Sequence, residues 1–290
     1  MRLGFIGFGE AAFEMSSGLK QQGLEQITAF DPMWNHTKFG ALVQERAQKA
    51  KVELLSQSEE VLARADILIV AVPADKAYDA STALKPHLKQ DCVYVDVSAS
   101  SPDVKNKISE NVKETGCRFV DAAMMGPLPV YKHKVPILAS GDGTDTFIQF
   151  LSPYGMEISK VSENPGDASA VKLIRSIYMK GIAALLVEML QAAHHYKVEE
   201  LVIDSISETM DGTSFASTMN RLVTGTSVHA LRRAVELEGS IEMLESSSIN
   251  SVMSQASKEK LQLLSSFNFK EKFQGKTPAH WLEVISEMQS

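Results

Sequence analysis

Lys172, Arg175 and Ser176, three side chains able to move protons or donate hydrogen bonds, crowd into the stretch GDASAVKLIRS at residues 166–176. Ala168 to Tyr196 contain no proline, and apolar residues recur at Val171, Ile174, Tyr178, Ile182, Leu185 and Met189, the spacing of one face of a single helix. Lys172 then lies in the second turn, with Ser176 one turn further on and Arg175 beside it. A lysine takes or returns a proton near neutral pH when burial or a neighbouring cation lowers its pKa, and Arg175 is placed to be that cation. A second set lies at the start of the chain, where the apolar run Arg2 to Ile6 meets Gly7-Phe8-Gly9-Glu10-Ala11-Ala12. In this GxGxxA turn Gly7 permits the tight bend, Gly9 lets the backbone approach a pyrophosphate, and small Ala12 lets the helix pack close to the strand. The N–H groups of the helix start, around Glu10 and Ala11, then face the anion.

The same chemistry extends along the strands that follow. Gln26 to Phe30 reads as a second strand ending in Asp31, where a carboxylate accepts hydrogen bonds from an adenosine ribose and repels a 2′-phosphate. NAD is therefore the expected cofactor, with NADP kept open by Asn35, His36 and Lys38 just beyond. Ile67 to Val72 is continuously apolar, as a central strand is, and places Val72 and Pro73 at the crevice where such sheets bind ligands. Val93 to Val97 delivers Ser98 to the same rim, and Ser101-Pro102 reads as a cap followed by the favoured first-turn proline. No His, Cys or carboxylate cluster has metal-ligand spacing, so no metal is expected.

Positioning these residues takes two architectures. Strands at Val52 to Leu55, Arg118 to Asp121, Val135 to Ser140 and Met156 to Val161 join those above, separated by helical segments. The expected fold is α/β: an N-terminal Rossmann-type, doubly wound parallel sheet over 1–164, followed by an all-helical domain over 165–290 that binds substrate and dimerises. Asp167 is the expected N-cap of the long helix. Gly181 to Leu190 is apolar nearly all round, which predicts burial on several sides. Further helices are expected at Val198 to Met210, Phe215 to Thr224, Val228 to Leu244, Ile249 to Ser265 and Ala279 to Met288. His229 and Arg233 share one helix face and suit an anionic substrate group, although a solvated face with Arg232 paired to Glu236 is the commoner meaning of such a cluster.

A formal net charge of −7 argues against nucleic acid and anionic membranes as partners. The most apolar window, Gly181 to Ala193, is too short to span a bilayer, and the N-terminal residues run directly into a strand rather than a secretory signal. Cytoplasmic residence is expected, with Cys92 and Cys117 as buried free thiols.

GFIGFGEAA at the N-terminus, VAVP at 70–73, DVSASSP at 96–102, DAAMMGPLPV at 121–130 and GDASAVKLIRS at 166–176 resemble, in that order and over nearly the whole chain, the β-hydroxyacid dehydrogenases. That family includes 3-hydroxyisobutyrate and 6-phosphogluconate dehydrogenases. The resemblance implies hydride transfer between NAD(P) and a small hydroxy acid or related alcohol, with Lys172 as general acid and base. Ser98, Ser176 and the backbone at Met125 and Gly126 would orient substrate. Met125-Gly126-Pro127 replaces the family's Ser-Gly-Gly, and Arg175 and Ser176 replace its asparagine pair, which marks a divergent branch with its own substrate. Reduction of an imine on the same fold, and nucleotide sensing without turnover, are the alternative readings.

Overall fold

The computed structural model describes residues 1–289. Two compact units divide the chain, Met1–Ser176 and Ile177–Ser290.

In the first unit eight strands alternate with helices. The strands are β1 (Leu3–Ile6), β2 (Ile27–Phe30), β3 (Glu53–Leu54), β4 (Ile67–Val70), β5 (Val93–Asp96), β6 (Arg118–Met124), β7 (Ile137–Ser140) and β8 (Ile158–Ser162). Between them run α1 (Glu10–Gln21), α2 (Gly40–Ala50), α3 (Ser58–Arg64), α4 (Ala77–Leu84), α5 (Pro102–Lys113), α6 (Leu128–Tyr131) and α7 (Thr144–Leu151). They form one sheet in the order β3-β2-β1-β4-β5-β6-β7-β8. Successive strand residues feed opposite cores. Ile67, Ile69, Val93 and Val95 pack with α1, α2 and α7, while Leu68, Val70 and Tyr94 pack with α3, α4 and α5. Each fully buried Ile, Leu or Val contributes about 1.5–3 kcal/mol, and a strand apolar on both faces, such as β4, is stable only in this doubly covered position.

The expectation of a parallel sheet holds from β3 through β6, but β7 runs antiparallel to β6. The connection explains the reversal. A parallel crossover needs a helix long enough to cover the sheet, whereas residues 125–136 hold Pro127, Pro129 and Pro136, the four-residue α6 and one short 3-10 turn at Lys132–Lys134. The chain therefore turns back beside β6.

Helix α8 (Asp167–Tyr196) is the single long helix that the apolar spacing predicts. The second unit continues with α9 (Glu199–Asp211), α10 (Phe215–Ser246), α11 (Val252–Ser265), α12 (Phe269–Lys272) and α13 (Trp281–Gln289). Two expected helices are one: α10 runs through Gly225, because the hydroxyls of Thr224 and Ser227 bond back to the carbonyls of Asn220 and Thr224 and need no break in the chain. The apolar stretch of α8 also departs from expectation. Leu185, Leu186, Val187 and Leu190 are all exposed. No helix among the described residues is long and apolar enough to cross a membrane.

Candidate active site on the sheet rim

The glycine turn after β1 is built as its sequence requires. Gly7 has φ +85°, and a Cβ there would sit 2.4 Å from the carbonyl oxygen of Ala71, just past the end of β4. Gly9 occupies the N-cap position of α1 with no side-chain cap, and a Cβ there would meet nothing within 4 Å. The space in front of the helix start is thus open, and no side chain of the loop competes for its N–H groups, the arrangement a pyrophosphate needs. Ala12 is fully buried beneath it, while Glu10 is exposed and Ala11 half-buried. Phe8 turns inward, its ring buried edge-on against Phe5.

Asp31 closes this loop from the end of β2. Its Oδ2 accepts the N–H of Phe8 at 2.6 Å and its Oδ1 accepts that of Met33 at 2.8 Å. A carboxylate offers about four acceptor positions, so the two occupied ones fix the turn and the others stay open.

Along the rim Val72 is half-buried and Pro73 exposed. Ser98, buried after β5, shares a 2.8 Å hydrogen bond with Ser100, and Ser100 donates to the carbonyl of Ala74 at 3.1 Å. Because Ser100 has one proton and spends it on Ala74, Ser98 donates its own to Ser100 and faces the rim as an acceptor. Met125 gives its N–H to the carbonyl of Pro136, which removes one of the backbone donors expected for substrate. Gly126 packs under Tyr131, whose ring lies 3.0 Å from where a Cβ would stand.

The start of α8 is held differently from the sequence expectation. Asp167 is not its N-cap: the carboxylate accepts from Ser162 at 2.6 Å instead of capping its own helix. Gly166 stands at the cap, its carbonyl accepting from Ala170. The orphan N–H groups of Ala168 and Ser169 are satisfied from the sheet, by the hydroxyl of Ser140 on β7 and the carboxylate of Asp121 on β6. Lys172 follows one turn later, half-buried, with Arg175 exposed and Ser176 half-buried.

Beneath the rim lies a group that no sequence motif marks. Lys105, in the first turn of α5, is fully buried and sits 3.1 Å from Asp96 Oδ2 and 3.2 Å from Asp121 Oδ1. Asp96 and Asp121 are register partners on β5 and β6. The legible signal was a lysine in the apolar stripe Lys105, Ile108, Ser109, Val112 of α5, facing two strands that each carry an aspartate.

The helical unit carries the other predicted substrate contacts on α10. His229 is exposed, and half-buried Arg233 donates from Nη1 to the hydroxyl of Thr226 at 2.6 Å. Arg232 pairs with Glu236 at 3.4 Å, the arrangement of a solvated helix face. Among the described residues no group of three or more His, Cys, Asp or Glu is placed to hold a metal ion.

Comparison with known proteins agrees with this geometry. Residues 2–147 match the NAD binding domain of 6-phosphogluconate dehydrogenase, and residues 193–264 match a domain of unknown function, DUF1932. An uncharacterised 28.5 kDa protein of Methanothermus fervidus is 30% identical over 82% of this chain and 88% of its own. A solved protein described as structurally similar to 3-hydroxyacid dehydrogenases is 31% identical, covering 95% of this chain and 100% of its own at a TM-score of 0.63. An imine reductase variant of Myxococcus stipitatus, solved with NAD+, shares the fold at a TM-score of 0.75 and 16% identity over 100% of this chain and 99% of its own. The chain belongs to the oxidoreductase family defined by the NAD-binding domain of 6-phosphogluconate dehydrogenase.

Proposed function

We propose that this chain catalyses reversible oxidation of a small anionic hydroxy acid with NAD, Lys172 being the group that takes or returns the hydroxyl proton. The observation that carries the reading is the anchoring of α8: its first turn is fixed to β6 and β7 through Asp121 and Ser140, so Lys172 extends from a rigid origin. Bound at the rim, the nicotinamide would accept the substrate's hydride or return it. Ser98, whose own proton is committed to Ser100, offers the rim an acceptor, Ser176 donates to the substrate, and the single proton of the substrate hydroxyl is left for Lys172. In the oxidative direction neutral Lys172 receives the hydroxyl proton as the carbonyl forms, and in reduction its ammonium gives that proton back. Arg175 is the proposed partner of the acid group, since the arginine fork suits a carboxylate. The lone pairs left on Asp31 accept the ribose hydroxyls and disfavour a 2′-phosphate.

Reduction of an imine is the second reading. What favours it is the Met125-Gly126-Pro127 stretch, which offers no side-chain donor where a polyhydroxylated acid would need one. Following NADH absorbance with panels of keto acids, aldehydes and imines, and NAD+ reduction with hydroxy acids, separates the two. Turnover of keto and hydroxy acids is expected. Turnover of imines alone would replace the first reading with the second, and tight NADH binding without turnover would make the protein a sensor.

A further inference from the structure

Lys105 has three ammonium protons and meets three acceptors: the carbonyl oxygen of Asp96 at 3.0 Å, Asp96 Oδ2 at 3.1 Å and Asp121 Oδ1 at 3.2 Å. Each of the three side chains is buried from solvent. From this centre two arms reach the rim. On one, Asp96 Oδ1 accepts the N–H of Ser98 at 2.8 Å and so fixes the serine's backbone. On the other, Asp121 Oδ2 accepts the N–H of Ser169 at 2.8 Å while its Oδ1 accepts the Ser169 hydroxyl at 2.7 Å. Ser169 is three residues before Lys172 on α8, and residues so spaced are neighbours on one helix face.

We infer that Lys105 is a positioning residue for the proposed reaction, coupling the placement of Ser98 on β5 to that of Lys172 on α8 through one buried network. The inference rests on the reading of Lys172 as the proton-transfer group and of Ser98 as a residue that orients the reactants. Two features set the network apart from ordinary core packing. A buried carboxylate without a cation is strongly disfavoured, and apart from Lys105 the Asp96 Oδ2 atom has no polar partner, so the lysine is the cationic partner that both buried aspartates share. The two aspartates hold two backbone N–H groups, those of Ser98 and Ser169, in fixed directions. Misplacing a reacting group by about 1 Å costs roughly a hundredfold in rate, so a shared anchor for both groups has direct catalytic value.

The test compares Lys105→Met and Ser169→Ala with Lys107→Met, a control on the exposed face of the same helix. NADH affinity is read by fluorescence, kcat and KM with a substrate from the keto-acid panel, and the placement of Lys172 by its rate of acylation with acetic anhydride relative to exposed Lys260, scored by peptide mass spectrometry. Lys105→Met is expected to lower kcat about tenfold or more and Ser169→Ala about threefold, with KM and NADH affinity within twofold of the parent and the Lys172 acylation ratio changed at least threefold. Lys107→Met leaves all four values unchanged. Parent-like kcat and acylation ratio in both site variants, or losses confined to KM or NADH affinity, would overturn the inference. Should Lys105→Met fail to fold, Ser169→Ala decides alone by the same criteria. If Lys172→Ala keeps full turnover while Lys105→Met still alters acylation at Lys172, the catalytic role of Lys172 is what falls, and the network is structural.

Discussion

Gly7 and Gly9 lie two residues apart and are glycine for opposite reasons. At Gly7 the protein itself forbids a side chain, through φ +85° and the Ala71 carbonyl 2.4 Å from a Cβ. At Gly9 the protein leaves the space empty, and only a ligand would contest it. Gly7→Ala should therefore cost about 2 kcal/mol or more of stability. Gly9→Ala should leave the melting temperature nearly unchanged but weaken NADH binding about tenfold or more, as calorimetric titration of both variants would show. Equal effects on binding and stability at the two positions would remove the pyrophosphate from this turn. Lys172→Ala, in turn, should keep NADH affinity within a few-fold and lower turnover about a hundredfold, the size of a general acid–base contribution; full activity would exclude the lysine from the chemistry. The turn and the Lys172 helix were legible because their signals are local, a tripeptide spacing and a helical period. Lys105 was not, because its meaning depends on Asp96 and Asp121, nine and sixteen residues away on two different strands.

Elements were legible to the extent that their causes are sequential. The period of apolar residues gave the span of α8, yet its cap was misread, since the groups that satisfy its first N–H donors come from 28 and 48 residues upstream. The reversal at β7 and the merger of two expected helices into α10 likewise depended on chain geometry and on hydroxyl back-bonds that composition does not report. Asp66, directly ahead of β4, shows an element-scale anchor at the opposite end of the central strands. It accepts from the backbone N–H of Arg2 at 2.9 Å and the ammonium of Lys89 at 2.9 Å, tying the starts of β1, β4 and β5 together. Partial burial works against its ionisation, but the hydrogen bonds from Lys89 and Arg2 outweigh it and hold the pKa at about 2 rather than 3.8. A carboxyl whose pKa is depressed on folding stabilises the protein above its unfolded value, and that contribution disappears as pH falls from about 4 through about 2. In thermal melts Asp66→Asn should be less stable than the parent at pH 6 and lose less of its stability across that acid window. Parallel decline of the two proteins would assign the anchoring to other groups.

The whole molecule poses a question of covered surface that one chain leaves open. Among the described residues beyond Ser176 the apolar side chains that are buried number eight, and four of them are alanines. Helix α9 has no buried residue, and Ile177 and Leu201 are 75% and 73% exposed. The sheet unit, by contrast, has two continuous cores. A helical unit with few buried side chains has little burial of its own to set against the entropy of ordering it, and exposed apolar surface of this kind is expected to mark an association face. A standard interface hides roughly 800 Å² on each partner, and closed two-fold pairing needs only one self-complementary patch. We therefore expect two copies of this chain to pair through the helical unit, which would give Gly181 to Leu190 the burial that its apolar sequence implies. Sedimentation at micromolar concentration should give twice the 31.8 kDa of one chain, with a melting temperature that rises with protein concentration. Replacing Ile177 and Leu201 together with Glu should shift the protein to the single-chain mass and lower the stability of the helices, because a charge on each would have to be buried in the pair. A parent that sediments as one chain at 50-fold higher concentration, about the range where weak pairs still form, would mean that the apolar face of α8 and α9 meets some other partner.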